Sequence, residues 1–120
     1  MRTKQGYTIC KTADLPPGER QIFTINGREV GVFNVDGEYF ALLNYCPHSG
    51  APLCKGPVTG TTLPSDDFAF VYGYAGQLVR CAWHGWEFKI ATGEYLMNPK
   101  IRAKKYAVTV ENGDDVVVYM

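Results

Sequence analysis

Apolar and polar positions fall into short runs along this chain, and no stretch keeps a helical period. Tyr7–Lys11 predicts a first strand. Asp14-Leu15-Pro16-Pro17-Gly18-Glu19 stops any element there, because paired prolines and a glycine cannot extend a helix or a ladder. Gln21–Ile25 and Arg28–Asn34 are apolar, β-branched runs split by Asn26-Gly27, a dipeptide suited to the positive φ angles of a tight hairpin. Asp36-Gly37 gives a second such turn, joining Val30–Val35 to Glu38–Leu43. A three-strand meander therefore ends at Asn44-Tyr45.

Beyond it, Lys55–Ser65 is rich in Gly, Pro and Thr and predicts a loop. Phe68–Tyr74 and Gln77–Arg80 predict two strands joined near Ala75-Gly76. Glu87–Ile90 predicts a short strand, Ala91-Thr92-Gly93-Glu94 a turn, and Asn98-Pro99 another loop. Lys104–Glu111 and Asp115–Tyr119 predict a last hairpin across Asn112-Gly113. The expected fold class is all-β, an antiparallel sandwich or barrel. The length of 120 residues suits one domain, with no repeat or linker.

Composition narrows the function classes. Twelve cationic and twelve acidic residues leave a formal net charge of zero, which removes a broad electrostatic case for nucleic acid or an anionic membrane. No segment reaches the roughly 18 apolar residues of a membrane helix. Met1–Lys11 lacks the apolar stretch of a secretory signal. The cytosol is the expected compartment, and the four cysteines there read as ligands and spares, not as a disulfide framework. Cys10 lies in a strand-like run and reads as a small buried hydrophobe. Cys54 lies close to the more informative residues. No Gly-x-Gly-x-x-Gly or phosphate-cradling loop is present.

Those residues form two short stretches of shared design. One is Cys46-Pro47-His48-Ser49-Gly50-Ala51-Pro52-Leu53, the other Cys81-Ala82-Trp83-His84-Gly85-Trp86. Each offers one thiol and one imidazole with a glycine just beyond, and the chain's only two histidines are both used. Each stretch lies between predicted strands, which would fix the approach of its ligands. Zinc also accepts two Cys and two His, but its sites more often pair like ligands within a loop. Mixed pairs in both loops favour a diiron centre over zinc, and matched loops argue against chance core histidines.

This Cys-x-His … Cys-x-x-His arrangement resembles the Rieske [2Fe–2S] ferredoxin family, in whose centres two histidines replace two cysteines on one iron. The resemblance covers most of the chain and is sharpest over Cys46–Leu53 and Cys81–Phe88. It implies a Rieske-type fold with a small cluster-binding subdomain over about residues 45–90. It implies one [2Fe–2S] cluster per chain, with Cys46 and Cys81 on one iron and His48 and His84 on the other. Gly50 and Gly85 would let the backbone approach cluster sulfurs. Leu53, Trp83 and Trp86 would exclude water. Asn98-Pro99 resembles the family's third loop, with Pro99 over the cluster.

Departures from the respiratory branch of that family set a further expectation. Its extra disulfide would need cysteines where this chain has Ala51 and Trp83, and its hydroxyl donors would stand where this chain has Trp86 and Phe88. Without those hydrogen bonds the expected potential is low for the type, roughly −150 to 0 mV. The segment Gly56–Arg80 is longer than in most small Rieske ferredoxins and is read as a surface insertion or a docking element. The resemblance thus implies a non-enzymatic electron carrier, passing single electrons from a flavin- or NAD(P)H-dependent reductase to a terminal oxygenase. The alternatives are a cluster-bearing small subunit of another oxidoreductase, such as nitrite reductase, and a zinc-stabilised interaction module.

Overall fold

The structure is a computed structural model that describes residues 4–47, 50–64, 70–81 and 85–120. Its strands are β1 (Gly6–Lys11), β2 (Arg20–Ile25), β3 (Arg28–Val35), β4 (Glu38–Leu43), β5 (Val58–Pro64), β6 (Phe70–Arg80), β7 (Glu87–Lys89), β8 (Glu94–Tyr95), β9 (Asn98–Arg102), β10 (Lys105–Glu111) and β11 (Asp115–Tyr119). Two sheets result, both antiparallel. The first has six strands in the order β1-β11-β10-β4-β3-β2, and the second five in the order β5-β6-β7-β8-β9. The expected all-β architecture is therefore the one found.

Turn chemistry sets the register of the first sheet. Asn26 and Gly27 adopt φ of 52° and 78°, Asp36 and Gly37 52° and 93°, and Asn112 and Gly113 54° and 88°. These left-handed pairs are the two-residue hairpin geometry that Asn/Asp-Gly favours. Each turn lines up the strands so that Val30, Val32, Ala41, Val116 and Val118 share one buried core with Leu15, Ile25 and Tyr106. A second core lies between the sheets, holding Phe33, Leu42, Leu53, Val79, Phe88 and Ile90.

Three expectations are corrected. Residues 55–65, expected as loop, start at the end of a 3-10 turn (Leu53–Lys55) and then hold strand β5, with residue 65 outside the described part. The Gly, Pro and Thr content that suggested loop is outweighed by pairing with β6. The two strands expected on either side of Ala75-Gly76 are one strand, β6; the expected residues 68–69 lie outside the described part. Between Thr59↔Leu78 and Thr61↔Gly73 the register slips, so β6 carries a bulge where a break was expected, with Gly76 at φ 72°. Asn98-Pro99, expected as loop, begins edge strand β9. Proline is tolerated there because an edge strand has one side without ladder bonds.

The junction between the sheets is tight. Arg20 on β2 donates to the carbonyls of Gly56 and Lys55. Asn34, buried, donates to the Leu15 carbonyl and accepts from Gly37 N–H, fixing the β3–β4 turn. A Cβ on Gly56 would lie 1.7 Å from the Arg80 carbonyl oxygen, so only glycine fits where β5 begins beside the end of β6.

Candidate metal centre

The two loops singled out by their Cys and His residues leave the ends of strands. Strand β4 runs through Asn44 and Tyr45 into Cys46, and β6 delivers the chain to Cys81. Both thiols are fully buried, at 0 % exposure, and both belong to the core between the sheets with Leu53 and Ala51. Trp86 packs against that core from its edge. Neither thiol is in a disulfide. His48, Trp83 and His84 lie outside the described residues; the two cysteines of the expected ligand set lie in one buried core.

The loops close in the same way. Gly50 N–H donates to the Cys46 carbonyl at 2.7 Å, and Cys46 N–H to the Ala51 carbonyl at 2.8 Å. In the second loop Gly85 N–H donates to the Cys81 carbonyl at 2.9 Å, and Cys81 N–H to the Trp86 carbonyl at 2.8 Å. Both glycines are left-handed, with φ of 75° and 70°. The offset from cysteine to glycine is four residues in each loop, although the histidines stand at different offsets. A positive φ there reverses the chain at little steric cost and brings the next carbonyl back onto the cysteine amide. The backbone of each cysteine is thus held in a small hydrogen-bonded ring.

Further residues fix the loops, and spacing gave no sign of them. Asn44, 9 % exposed, accepts the Cys54 N–H through Oδ1 at 2.8 Å and donates through Nδ2 to Glu29 at 3.3 Å. It ties the first loop back to β3. The Tyr45 ring, half exposed, lies against Gly50. Trp86 stacks on Tyr95 of β8, and Tyr95 leans on buried Phe88 with centroids 5.6 Å apart. Leu96 N–H donates to the Glu87 carbonyl at 2.9 Å, which sets the β8–β9 hairpin beside the exit of the second loop. Tyr95 is thus a residue of this hairpin that reaches Trp86, and Pro99 is exposed on β9.

Cys54 does not join the ligand loops. Its Sγ lies 3.4 Å from the Leu42 carbonyl, and a Cβ on Gly31 would meet its Cβ and Sγ at 2.4 and 2.5 Å. Burial pushes the thiol up to about 12 and keeps it protonated. It fills the slot that Gly31 leaves beneath the first loop. A groove of about 290 Å³ between Val35, Phe40, Gln77, Ile90 and Thr92 lies at the far end of β7 from the second loop.

Comparison with known proteins decides the family. The model of the Rieske [2Fe–2S] domain matches residues 5–111. The chain belongs to the Rieske [2Fe–2S] family. Among relatives of this Rieske protein is the biphenyl dioxygenase ferredoxin subunit of Pseudomonas sp. (strain KKS102), 32% identical over 111 residues, covering 91% of this chain and 86% of that one. A human Rieske domain-containing protein is 32% identical over 128 residues, covering 94% and 74%. Among solved structures, the small subunit of a putative NADH-dependent nitrite reductase from Mycobacterium tuberculosis superposes with a TM-score of 0.73 at 20% identity, covering 99% and 97% of the two chains. The ferredoxin of carbazole 1,9a-dioxygenase from Nocardioides aromaticivorans IC177 superposes with a TM-score of 0.67 at 22% identity, covering 93% and 95%. These superpositions establish a shared fold.

A Rieske domain implies a [2Fe–2S] cluster, and the residues present fit one. Two buried, unbridged thiols in matched loops are the donor set that iron–sulfide needs on one side. The surrounding core is apolar. No helix among the described residues is long and apolar enough to cross a membrane.

Proposed function

We propose that this protein is a Rieske-type ferredoxin that passes single electrons from a flavin- or NAD(P)H-dependent reductase to a terminal oxygenase. The observation that carries this reading is the pair of identically closed loops, each burying one cysteine in the same core. In this reading Cys46 and Cys81 hold one iron, and His48 and His84 the other. The cluster, when bound, supplies a one-electron centre. The chain's own part is to hold the thiols rigidly and keep water from them with Leu53, Phe88 and Trp86. The ring of backbone bonds at each cysteine limits the reorganisation that accompanies a change of charge.

The relatives named as ferredoxin subunits of dioxygenases support an oxygenase as the acceptor. The cytosol, where thiols stay reduced, is the compartment this reading takes.

The test is the purified protein handled without air. Iron, zinc and acid-labile sulfide are counted, and the reduced sample is examined by electron paramagnetic resonance during a redox titration. Two irons per chain, an anisotropic Rieske signal and a midpoint of roughly −150 to 0 mV are expected. One zinc and no signal would overturn the reading. Cys46→Ser and His84→Ala should each abolish the signal.

A further inference from the structure

The chain is neutral overall but electrically polarised along the strands of the first sheet. Strands β10 and β4 pair antiparallel with Lys105 opposite Leu42, so the Asn112-Gly113 turn lies at the same end as the Asp36-Gly37 turn. Strand β1 pairs with β11 so that Lys11 faces Asp115, which brings Asp14 to that end too. Asp14, Asp36, Glu38, Glu111, Asp114 and Asp115 therefore gather at one pole. Cys46 lies at the other, because β4 runs from Glu38 toward it.

The pole with the ligand loops carries a cationic strip. Residues 97–105 contain Lys100, Arg102, Lys104 and Lys105 and no acidic residue. All four are exposed. Arg102 pairs with Glu94 at 3.8 Å, and its side chain remains 64% exposed. Lys104 reaches over the Tyr106 ring, and the Lys104 carbonyl accepts Leu43 N–H at 2.8 Å, three residues before Cys46. Lys100 and Arg102 are two apart on β9 and so share a face. The intervening Ile101 packs into the core between the sheets.

At the tip of the same hairpin stands Met97, 79% exposed and thus the most exposed large apolar side chain among the described residues. Leu96-Met97 is the turn between β8 and β9, and the Leu96–Glu87 bond sets it beside the second loop. Met97 thus offers a flexible, polarisable contact at the edge of a cationic strip. Pro99 has no N–H, so β9 is a poor template for strand addition, and contact here runs through side chains.

We infer that the β8–β9 hairpin is a docking surface for a protein with an acidic face and an aromatic or apolar centre, with Met97 as the anchor and Lys100, Arg102, Lys104 and Lys105 around it. This rests on the electron-carrier reading and adds the chemistry of the partner to it. The polarity turns the loop end of the molecule toward a negative surface during approach, which raises the encounter rate and makes it salt-dependent.

The test uses the ¹⁵N-labelled holoprotein and two probes, poly-L-glutamate and a random glutamate–tyrosine copolymer. Amide shifts should centre on residues 97–105. Affinity should fall at least about tenfold between about 20 and 300 mM salt. The copolymer should bind about threefold tighter than poly-L-glutamate, and Met97→Ser should remove that difference. The pair Lys100→Glu and Arg102→Glu should abolish binding, whereas Lys11→Gln at the other pole should leave it unchanged. Shifts centred elsewhere, insensitivity to the charge reversal, or tighter binding to a short DNA duplex would overturn the surface. The redox titration of the same sample keeps the two readings apart. A reducible centre without binding here removes the docking surface and leaves the carrier. Binding here without a reducible centre removes the carrier and leaves the surface.

Discussion

The indole of Trp86 and the phenol of Tyr95 lie nearly parallel, with centroids 4.1 Å apart and planes 7° from each other. Trp86 is also the residue whose carbonyl holds the Cys81 amide. The β8–β9 hairpin therefore braces the second ligand loop through one aromatic contact. Tyr95→Ala should lower stability by about 2 kcal/mol, from lost stacking and lost cover for Phe88. It should also speed the loss of visible absorbance from the holoprotein under a chelator. Tyr95→Phe keeps the ring and should restore both, as denaturant titration and chelation kinetics would record.

Asn44 gives the first loop its matching support. Asn44→Ala leaves the buried Cys54 N–H without an acceptor and should cost about 1–3 kcal/mol in urea unfolding. Asn44→Asp keeps that acceptor but sets a carboxylate against Glu29. It should be less stable than wild type at neutral pH and recover part of the loss as the medium is acidified.

Cys54 predicts an alkaline limit. Its thiol titrates near 9 in the unfolded chain and near 12 when folded. Below about pH 9 both states keep the proton and the stability is intact. As pH rises from 9 toward 12 the unfolded state alone gives up its proton, so stability declines by up to about 1.4 kcal/mol per pH unit. Urea midpoints between pH 8 and pH 10.5 should fall less steeply in Cys54→Ala, measured against its own value at pH 8. The folded wild type should leave Cys54 unlabelled by iodoacetamide at pH 8.

Gly56 predicts an intolerant position. Its missing Cβ would stand 1.7 Å from a backbone oxygen that cannot rotate away. Gly56→Ala should destabilise the protein by about 3 kcal/mol or more, and loosen the Arg20 contacts at the same junction. Gly18→Ala offers a control, because only its φ of 85° is strained and nothing crowds its Cβ; the smaller loss should be visible in thermal unfolding.

Much of this architecture is legible in the sequence. Asn26-Gly27, Asp36-Gly37 and Asn112-Gly113 announce hairpins because their backbone angles suit few other pairs. The Cys and His spacing announced the family. Strand β5 was not legible, because Val58–Pro64 has the composition of a loop and becomes a strand by pairing with β6. The two-residue β8 was too short to show any period. Nor was the bracing of the loops, since Asn44 and Tyr95 act through a hydrogen bond and a ring contact made only after the chain has folded. The equal offset of Gly50 and Gly85 from their cysteines was readable, but its meaning emerged with the amide bonds.

The two closed loops also order events in the life of the chain. Cys46 and Cys81 are far apart in sequence, and the brace on the second loop is supplied later still, by Tyr95. A nascent chain that has made only the β2–β4 meander owns half a holder. Its two cysteines share one core only when the second sheet has formed against the first. If these cysteines hold the proposed cluster, a filled site would certify that both sheets are in place.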